Sequence, residues 1–175
     1  MAEISEVYEI HFQGIDGHDF KSSADRAFAH DYEGSGRLDY IAMYQPGAGI
    51  FAVLKNDNEV FTKVLQNRSE EFGGYDFGNP KDRAFAFDYS ASGAADHIAI
   101  YRLRPFPVFV ILKNDNDVFT KVFEGWGLGD YIQSPVSRAI AFNYAFGFDN
   151  MIIYVPEEGN FVIVSKTNGT FDPGN

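Results

Sequence analysis

The chain has 175 residues, a formal net charge of −11, 45% apolar residues, 17% aromatics and no cysteine. Without cysteine there are no disulfides, thiolate metal sites or cysteine nucleophiles, and an aromatic-rich chain of this kind packs rather than staying disordered. The acidic balance, with no basic cluster, repels phosphate backbones, so nucleic-acid binding is not expected. No apolar run approaches the ~18 residues that cross a bilayer, so membrane insertion is not expected. The opening MAEISEVYEIHF has neither a basic start nor an apolar core, unlike a secretory signal. A cytoplasmic location, or release without a signal peptide, is the expectation.

In chain order, residues 4–12 read as a strand by alternation. The loop QGIDGHDFKSSA follows, and then a stretch that recurs. DRAFAHDYEGSGRLDYIAMY begins at Asp25, DRAFAFDYSASGAADHIAIY at Asp82, and a shortened SRAIAFNYAFGFDNMIIY at Ser137. Each copy predicts a strand, a polar turn containing glycine, and a second strand. In the first copy these strands span 26–32 and 40–45, followed by strands 50–54 and 60–65. In the second they span 83–89, 97–103, 108–112 and 118–123. The third has 138–143, 151–155 and 160–165, then KTNGTFDPGN with no fourth strand expected. Pro-Gly turns and the hairpins KNDNEVFTKV and KNDNDVFTKV mark antiparallel connections. No segment shows helical periodicity.

Three copies of a unit too small to bury its own faces argue for a single repeat-built domain over residues 1–175. Its repeats lie at about 25–66, 82–124 and 137–165, with the N-terminal strand added. VYEIHFQG precedes the first repeat as VFTKVLQN and VFTKVFEG precede the next two. The N-terminal strand is therefore expected to complete the third repeat. The expected class is all-β: three four-stranded antiparallel repeats arranged as β-propeller blades. A β-prism or β-trefoil-like threefold monomer is the alternative. Strands such as VFVIL, apolar on both faces, favour sheets covered on both sides. Three blades do not close a ring, since propellers use about four to eight, so a homodimer completing six blades is expected.

DYEGSGRLD and DYSASGAAD place oxygen side chains at the first, third, fifth and ninth positions, with glycine at the sixth. Hard cations take several oxygens around such a bend. The candidate ligands are Asp31, Glu33, Ser35 and Asp39, and Asp88, Ser90, Ser92 and Asp96. These repeats resemble FG-GAP or VCBS-type propeller repeats, whose loops are rich in aspartate at these positions. They are also similar to few-blade microbial and fungal propeller lectins. The resemblance covers essentially the whole chain. Serine stands where that pattern has acids, so it implies a weak or vestigial calcium site. Equally compatible is a purely structural turn in which the first aspartate accepts backbone N–H groups.

Aromatic and polar residues recur together on the connecting loops: His18 and Asp19, Tyr75 and Asp76, and Trp126 with Asp130 and Tyr131. Arg102 follows Tyr101 as a further donor. Sugars stack on aromatic rings while carboxylates and guanidinium groups take their hydroxyls. These eight residues are therefore candidate ligand contacts in a glycan-binding protein, a lectin with several equivalent sites between repeats and no catalysis. Alternatives are a protein-binding, inhibitor or toxin-accessory module and a glycan-acting enzyme. The same aromatics could instead staple loops onto neighbouring sheets. No GxSxG, P-loop, dinucleotide fingerprint or paired metal-binding histidines occur. Asn67-Arg68-Ser69 and Asn168-Gly169-Thr170 are formal glycosylation sequons, expected to be unused.

Overall fold

The apolar alternation of each repeat becomes a four-stranded antiparallel sheet. The structure is a computed structural model that describes residues 21–58, 60–68, 72–102, 106–125, 136–142, 150–167 and 170–172. The first sheet contains β1 (Arg26–His30), β2 (Tyr40–Gln45), β3 (Ile50–Asp57) and β4 (Val60–Arg68). The second contains β5 (Arg83–Phe87), β6 (His97–Arg102), β7 (Val108–Asp115) and β8 (Val118–Gly125). The third contains β9 (Arg138–Phe142), β10 (Asn150–Val155), β11 (Asn160–Thr167) and β12 (Thr170–Asp172). Each sheet is one contiguous repeat with its strands in sequence order. No helix long and apolar enough to cross a membrane occurs among the described residues.

The chain is all-β, with its repeats arranged as successive propeller blades. The first strands β1, β5 and β9 lie against one another along one edge, and the sheets stack face to face. Register fixes two faces per sheet. In the first sheet Phe28, Ala42, Tyr44, Phe51 and Val53 share a face, which we call leading. It packs on the trailing face of the second sheet, formed by Ala84, Ile98, Ile100, Val110 and Leu112. The second sheet's leading face, with Phe85, Phe87, Ala99, Tyr101, Phe109 and Ile111, packs on Ala139, Ala141, Met151, Ile153, Val162 and Val164 of the third. The second sheet is thus covered on both sides, and Ile98, Ala99, Ile100, Val110, Ile111 and Leu112 are all fully buried. This sheet-on-sheet stacking differs from both a trefoil and a prism.

Two details refine the expected strands. The third strands run through the polar hairpin as far as Asp57 and Asp115, because the reversal takes only two residues. Asn116 and Asp117 both hold positive φ, at 52° and 68°, as tight hairpins require. The strand following each hairpin carries a bulge. Register shifts between Val53 and Leu54 and between Ile111 and Leu112. Val64 and Val122 are the extra residues, and both are turned outward. The expectation that the third repeat lacks a fourth strand is corrected: the short β12 pairs with β11, Lys166 opposite Phe171, in that place. The N-terminal strand expected there lies outside the described residues.

Between the first two sheets the linker feeds aromatics into the core. Phe72 sits 4.2 Å, centroid to centroid, from both Phe51 and Phe119, and Phe77 joins them. Gly73 next to it takes φ +59°, and a Cβ there would meet Leu112 Cδ2 at 2.9 Å.

A buried histidine stands in the same interface. His30 occupies the position of Phe87 and is fully enclosed. Its Nδ1–H donates to the Ala95 carbonyl at 3.0 Å, which also accepts Asp31 N–H at 3.2 Å. Nε2 has no hydrogen-bond partner among the described residues. Burial pushes the imidazole from 6.5 down to about 4, against the upward pull of that carbonyl, Asp31 and Asp96. The folded value lies below the unfolded one, so the unfolded chain binds the proton first. The stability His30 contributes in its neutral form is complete above pH 6.5 and is lost as pH falls toward 4. This loss amounts to roughly 3 kcal/mol. Urea unfolding at pH 7 and pH 4 should show His30→Phe losing less stability than the wild type by about that amount; equal losses would remove the histidine as the cause.

Candidate functional site

In the first two repeats the glycine-containing turn between the first two strands is held by its leading aspartate. Asp31 Oδ1 accepts the Ser35 N–H at 2.8 Å and the Ser35 hydroxyl at 3.2 Å, and its Oδ2 accepts the Gly36 N–H at 2.6 Å. Asp88 repeats this with the Ser92 N–H at 3.0 Å, the Ser92 hydroxyl at 3.3 Å and the Gly93 N–H at 2.7 Å. Both oxygens of each carboxylate face backbone N–H groups, which is how aspartate ties a turn. The other candidate cation ligands diverge. Glu33 accepts from the Tyr40 hydroxyl and from Lys55 Nζ at 3.3 Å. Asp39 lies 3.8 Å from Arg37, Ser90 donates to the Ser92 hydroxyl at 3.4 Å, and Asp96 faces His97. No group of three or more histidine or acidic side chains arranged to hold a metal occurs among the described residues.

The stacking of the first two sheets sets these turns around a polar cleft of about 420 Å³. One wall is Tyr32, Glu33 and Gly34 from the β1–β2 turn. The other is Asp96 together with residues 113–117 of the β7–β8 hairpin. The hairpin is locked across the interface: the Tyr32 hydroxyl donates to Asp117 Oδ1 at 2.5 Å, and Asn114 Nδ2 donates to the Tyr32 carbonyl at 3.1 Å. Burial, and then Asp117, push the Tyr32 hydroxyl up, so it remains a proton donor across the ordinary pH range. The Tyr40 hydroxyl, and then Lys55, hold the Glu33 carboxyl below its usual range, so it is ionised at neutral pH. Asp96 Oδ1 is 2.6 Å from His97 Nδ1, and because a carboxylate only accepts, that nitrogen carries the proton. Gly34 holds φ +69°, and a Cβ there would sit 3.7 Å from Asp96 Oδ2. The missing side chain keeps that oxygen accessible from the cleft.

The equivalent junction between the second and third sheets is built differently. Lys166 stands where Asn114 stands. It donates to the Tyr89 carbonyl at 3.2 Å and lies 3.5 Å from the centre of the Tyr89 ring. Ser90 replaces Glu33 there. The acidic cleft is therefore built once among the described residues, not repeated.

Of the candidate ligand contacts on loops, Tyr75, Asp76 and Arg102 are described. They lie at the opposite end of the sheets from the cleft, where β6 ends. Tyr75 is nearly buried and packs against Phe77 at 5.4 Å. Arg102 donates through Nε and Nη2 to Asp82 Oδ1 and Oδ2, at 2.6 and 3.1 Å, and through Nη2 to the Tyr75 hydroxyl at 3.2 Å. Burial raises the Asp82 carboxyl, with Arg102 opposing that shift. Asp76 Oδ1 accepts the Gly78 N–H at 2.6 Å. Tyr75 and Arg102 are thus drawn inward around Asp82, and the ring serves as a staple between loop and sheet. His18, Asp19, Trp126, Asp130 and Tyr131 lie outside the described residues. Tyr32, Lys113, Asn114, Asp115, Asn116 and Asp117 line the cleft without being among the residues expected from the sequence. The signal was present: the KNDND hairpin is richer in charge and amide than a two-residue reversal needs.

No protein-family model matches the chain, and no curated protein matches it, so the likeness to FG-GAP and VCBS repeats gains no support from them. Among solved structures the chain is similar to one described as a "putative 6-phosphogluconolactonase" from Bacteroides fragilis, at 10% identity and a TM-score of 0.45. The match covers 77% of this chain and 34% of that one, so this chain spans about a third of that protein's length. That neighbour is named as an enzyme, and the expectations of a lectin and of a protein without catalysis are corrected accordingly. At this distance the match assigns no activity. The structure adds its own observation against the lectin reading: Tyr75 and Arg102 are committed to internal contacts.

The Asp82–Arg102 geometry has a direct consequence. Arg102→Ala leaves a buried carboxylate unpaired and should cost about 3–5 kcal/mol in chemical denaturation. A loss below about 1 kcal/mol, the usual range of an exposed pair, would show that Asp82 is solvated.

Proposed function

We propose that the cleft between the first two sheets is an active site that binds a small, hydroxyl-rich substrate and acts on it by carboxylate acid–base chemistry. The observation that carries this reading is its single-copy construction. A repeat protein that binds through equivalent sites keeps them alike, whereas here the sequence diverges: Glu33, Asp115 and Asp117 at the first junction correspond to Ser90, Thr167 and Gly169 at the next, and Lys166 there lies over the Tyr89 ring. Catalysis needs an asymmetric set of groups in different environments, and the cleft supplies one. Glu33 is ionised and exposed, Asp96 is oriented by a buried imidazole, and Tyr32 is a persistent donor.

The lining also limits the substrate. Glu33, Asp96, Asp115 and Asp117 share the lining with Lys113, and Glu33 also accepts from Lys55 beside the cleft. Carboxylates and the amides of Asn114 and Asn116 suit a ligand that presents many hydroxyl donors. The local negative charge disfavours phosphorylated substrates and favours neutral or cationic sugar derivatives. Two carboxylates flanking one bond are the apparatus of glycosidic hydrolysis, in which one acts as acid and the other as base or nucleophile. Asp96 is placed for proton transfer, because His97 fixes its orientation, and Glu33 for the ionised role.

The test is a panel of chromogenic glycosides and neutral sugar lactones, assayed with the wild type and with Asp96→Asn. Loss of a general acid or base costs on the order of 10²–10⁴-fold in turnover, so Asp96→Asn should fall by at least 100-fold with its melting temperature retained. Absence of turnover across the panel, or turnover that survives Asp96→Asn, overturns the proposal.

A further inference from the structure

The first strands carry an arginine at the same register position in all three sheets. Arg26 lies opposite Tyr44, Arg83 opposite Tyr101 and Arg138 opposite Tyr154. Directly opposed residues share a face, so each arginine leaves its sheet beside a tyrosine ring. Two of these tyrosines latch one sheet to the next. The Tyr44 hydroxyl accepts the Ala84 N–H at 2.8 Å, and the Tyr101 hydroxyl accepts the Ala139 N–H at 3.1 Å. Arg83 immediately precedes Ala84, and Arg138 immediately precedes Ala139. Tyr44 therefore stands between Arg26 and Arg83, and Tyr101 between Arg83 and Arg138.

These groups hold more hydrogen-bond donors than the protein accepts. Each arginine spends only Nη1. Arg26 gives it to the Ser23 and Asp25 carbonyls, Arg83 to those of Pro80 and Asp82, and Arg138 to those of Val136 and Ser137. Nε and Nη2 of all three make no hydrogen bond or ion pair among the described residues. The adjacent acids are committed elsewhere: Asp82 to Arg102, and Asp25 Oδ2 to the Ser22 N–H at 3.0 Å. The buried Tyr44 and Tyr101 hydroxyls add to the surplus. Each accepts a backbone N–H, which leaves its own proton to donate, and no acceptor for that proton occurs among the described residues. Burial pushes Tyr44 up to about 12, against the pull of the Ala84 N–H, Arg83 and Arg26. It also raises Tyr101, against the Ala139 N–H, Arg83 and Arg138. Both hydroxyls thus keep their protons at neutral pH. Arg26 and Arg83 are half-buried and Arg138 is exposed, which leaves the row open to a ligand from solvent.

We propose that the row formed by Arg26, Tyr44, Arg83, Tyr101 and Arg138 is an anion site, taking the oxygens of a phosphate or carboxylate group at each gap between neighbouring sheets. Arg83 serves both gaps. The unspent edge, Nε with Nη2, is the fork that matches two oxygens of one oxyanion, and the tyrosine hydroxyl supplies a further donor. The molecule already shows that edge engaged: Arg102 holds the two Asp82 oxygens through Nε and Nη2. The net charge of −11 repels anions in general, so binding here rests on these local donors. The row lies where the first strands begin, at the other end of the sheets from the cleft, and the inference stands independently of the proposed active site.

Titration with inorganic phosphate, and separately with citrate, followed by NMR tests this on the whole chain. The Ala84 and Ala139 amides and the arginine Nε–H signals should shift saturably, with a dissociation constant on the order of 1 mM or tighter that weakens as salt is added. The tighter of the two anions identifies phosphate or carboxylate as the group the site takes. Arg83→Gln should weaken binding by about 10-fold or more, because a charged donor is lost from both gaps. Arg83→Lys should fall between the two, since it keeps the charge and loses the fork. Arg37→Gln removes the same charge from the β1–β2 turn and should leave binding unchanged. Should Arg83→Gln fail to fold, the wild-type shifts carry the test. No saturable shift with either anion, shifts confined to other residues, or unchanged affinity in a folded Arg83→Gln overturns the proposal.

Discussion

The structure depends on one requirement: every four-stranded sheet is apolar on both faces and needs a neighbour on each side. In the second sheet the requirement is met in full. Ile98, Ile100, Val110 and Leu112 meet one neighbour while Ala99, Tyr101, Phe109 and Ile111 meet the other, and all are buried. Apolar burial supplies the driving force, but it is non-directional and does not set how far each sheet slides along the next. The tyrosine latches supply direction. Each ties a hydroxyl to one backbone N–H of the adjacent first strand. Alanine at that strand allows the close approach.

The cleft is a by-product of this stacking. Once the first two sheets are locked at their shared edge, the turn at Asp31 and the hairpin at Asp115 are held at the same end of the blades, with a gap between them. What fills the gap depends on a few positions that packing does not constrain. Between the first two sheets these positions carry acids and amides, and the ties across the gap are the short Asn114 side chain and the Tyr32–Asp117 hydrogen bond. Between the next two, a lysine stem and its ammonium cover the Tyr89 ring. Asp31 and Asp88, at the head of the first two turns, belong to the scaffold on this view, since their oxygens are spent on the backbone that shapes the turn. The side chains with chemistry to offer are those further along, Glu33 and Asp96.

His30 shows the same division inside the interface. Its position takes phenylalanine in the second repeat, and both side chains are fully buried. The imidazole adds one hydrogen bond to the Ala95 carbonyl and accepts a neutral state as the consequence of burial. Asp82 and Arg102 form a second enclosed polar pair, at the opposite end of the sheets. There Tyr75 completes the network, as a loop staple would.

Much of this was legible in the chain. The three copies, the alternation of RAFAF and the doubly apolar VFVIL dictated short antiparallel strands in three sheets, because strand periodicity and burial on both faces are local properties. The glycines and the leading aspartates of the turns were likewise readable, since an aspartate followed four residues later by Ser-Gly satisfies its own loop. The short β12 was not, because three residues carry too little alternation to announce a strand and depend on β11 for pairing. Nor was the cleft. Tyr32 and Asp117 lie far apart in sequence, and only the stacking of one sheet on the next brings the hydroxyl within hydrogen-bonding distance of the carboxylate. The sequence by itself determined the repeat, its strands and the internal ties of its turns, all of which arise from residues close along the chain. The tertiary structure decided which turn and hairpin frame the cleft and which loop aromatics are drawn inside, because these follow from contacts between repeats that no single repeat contains.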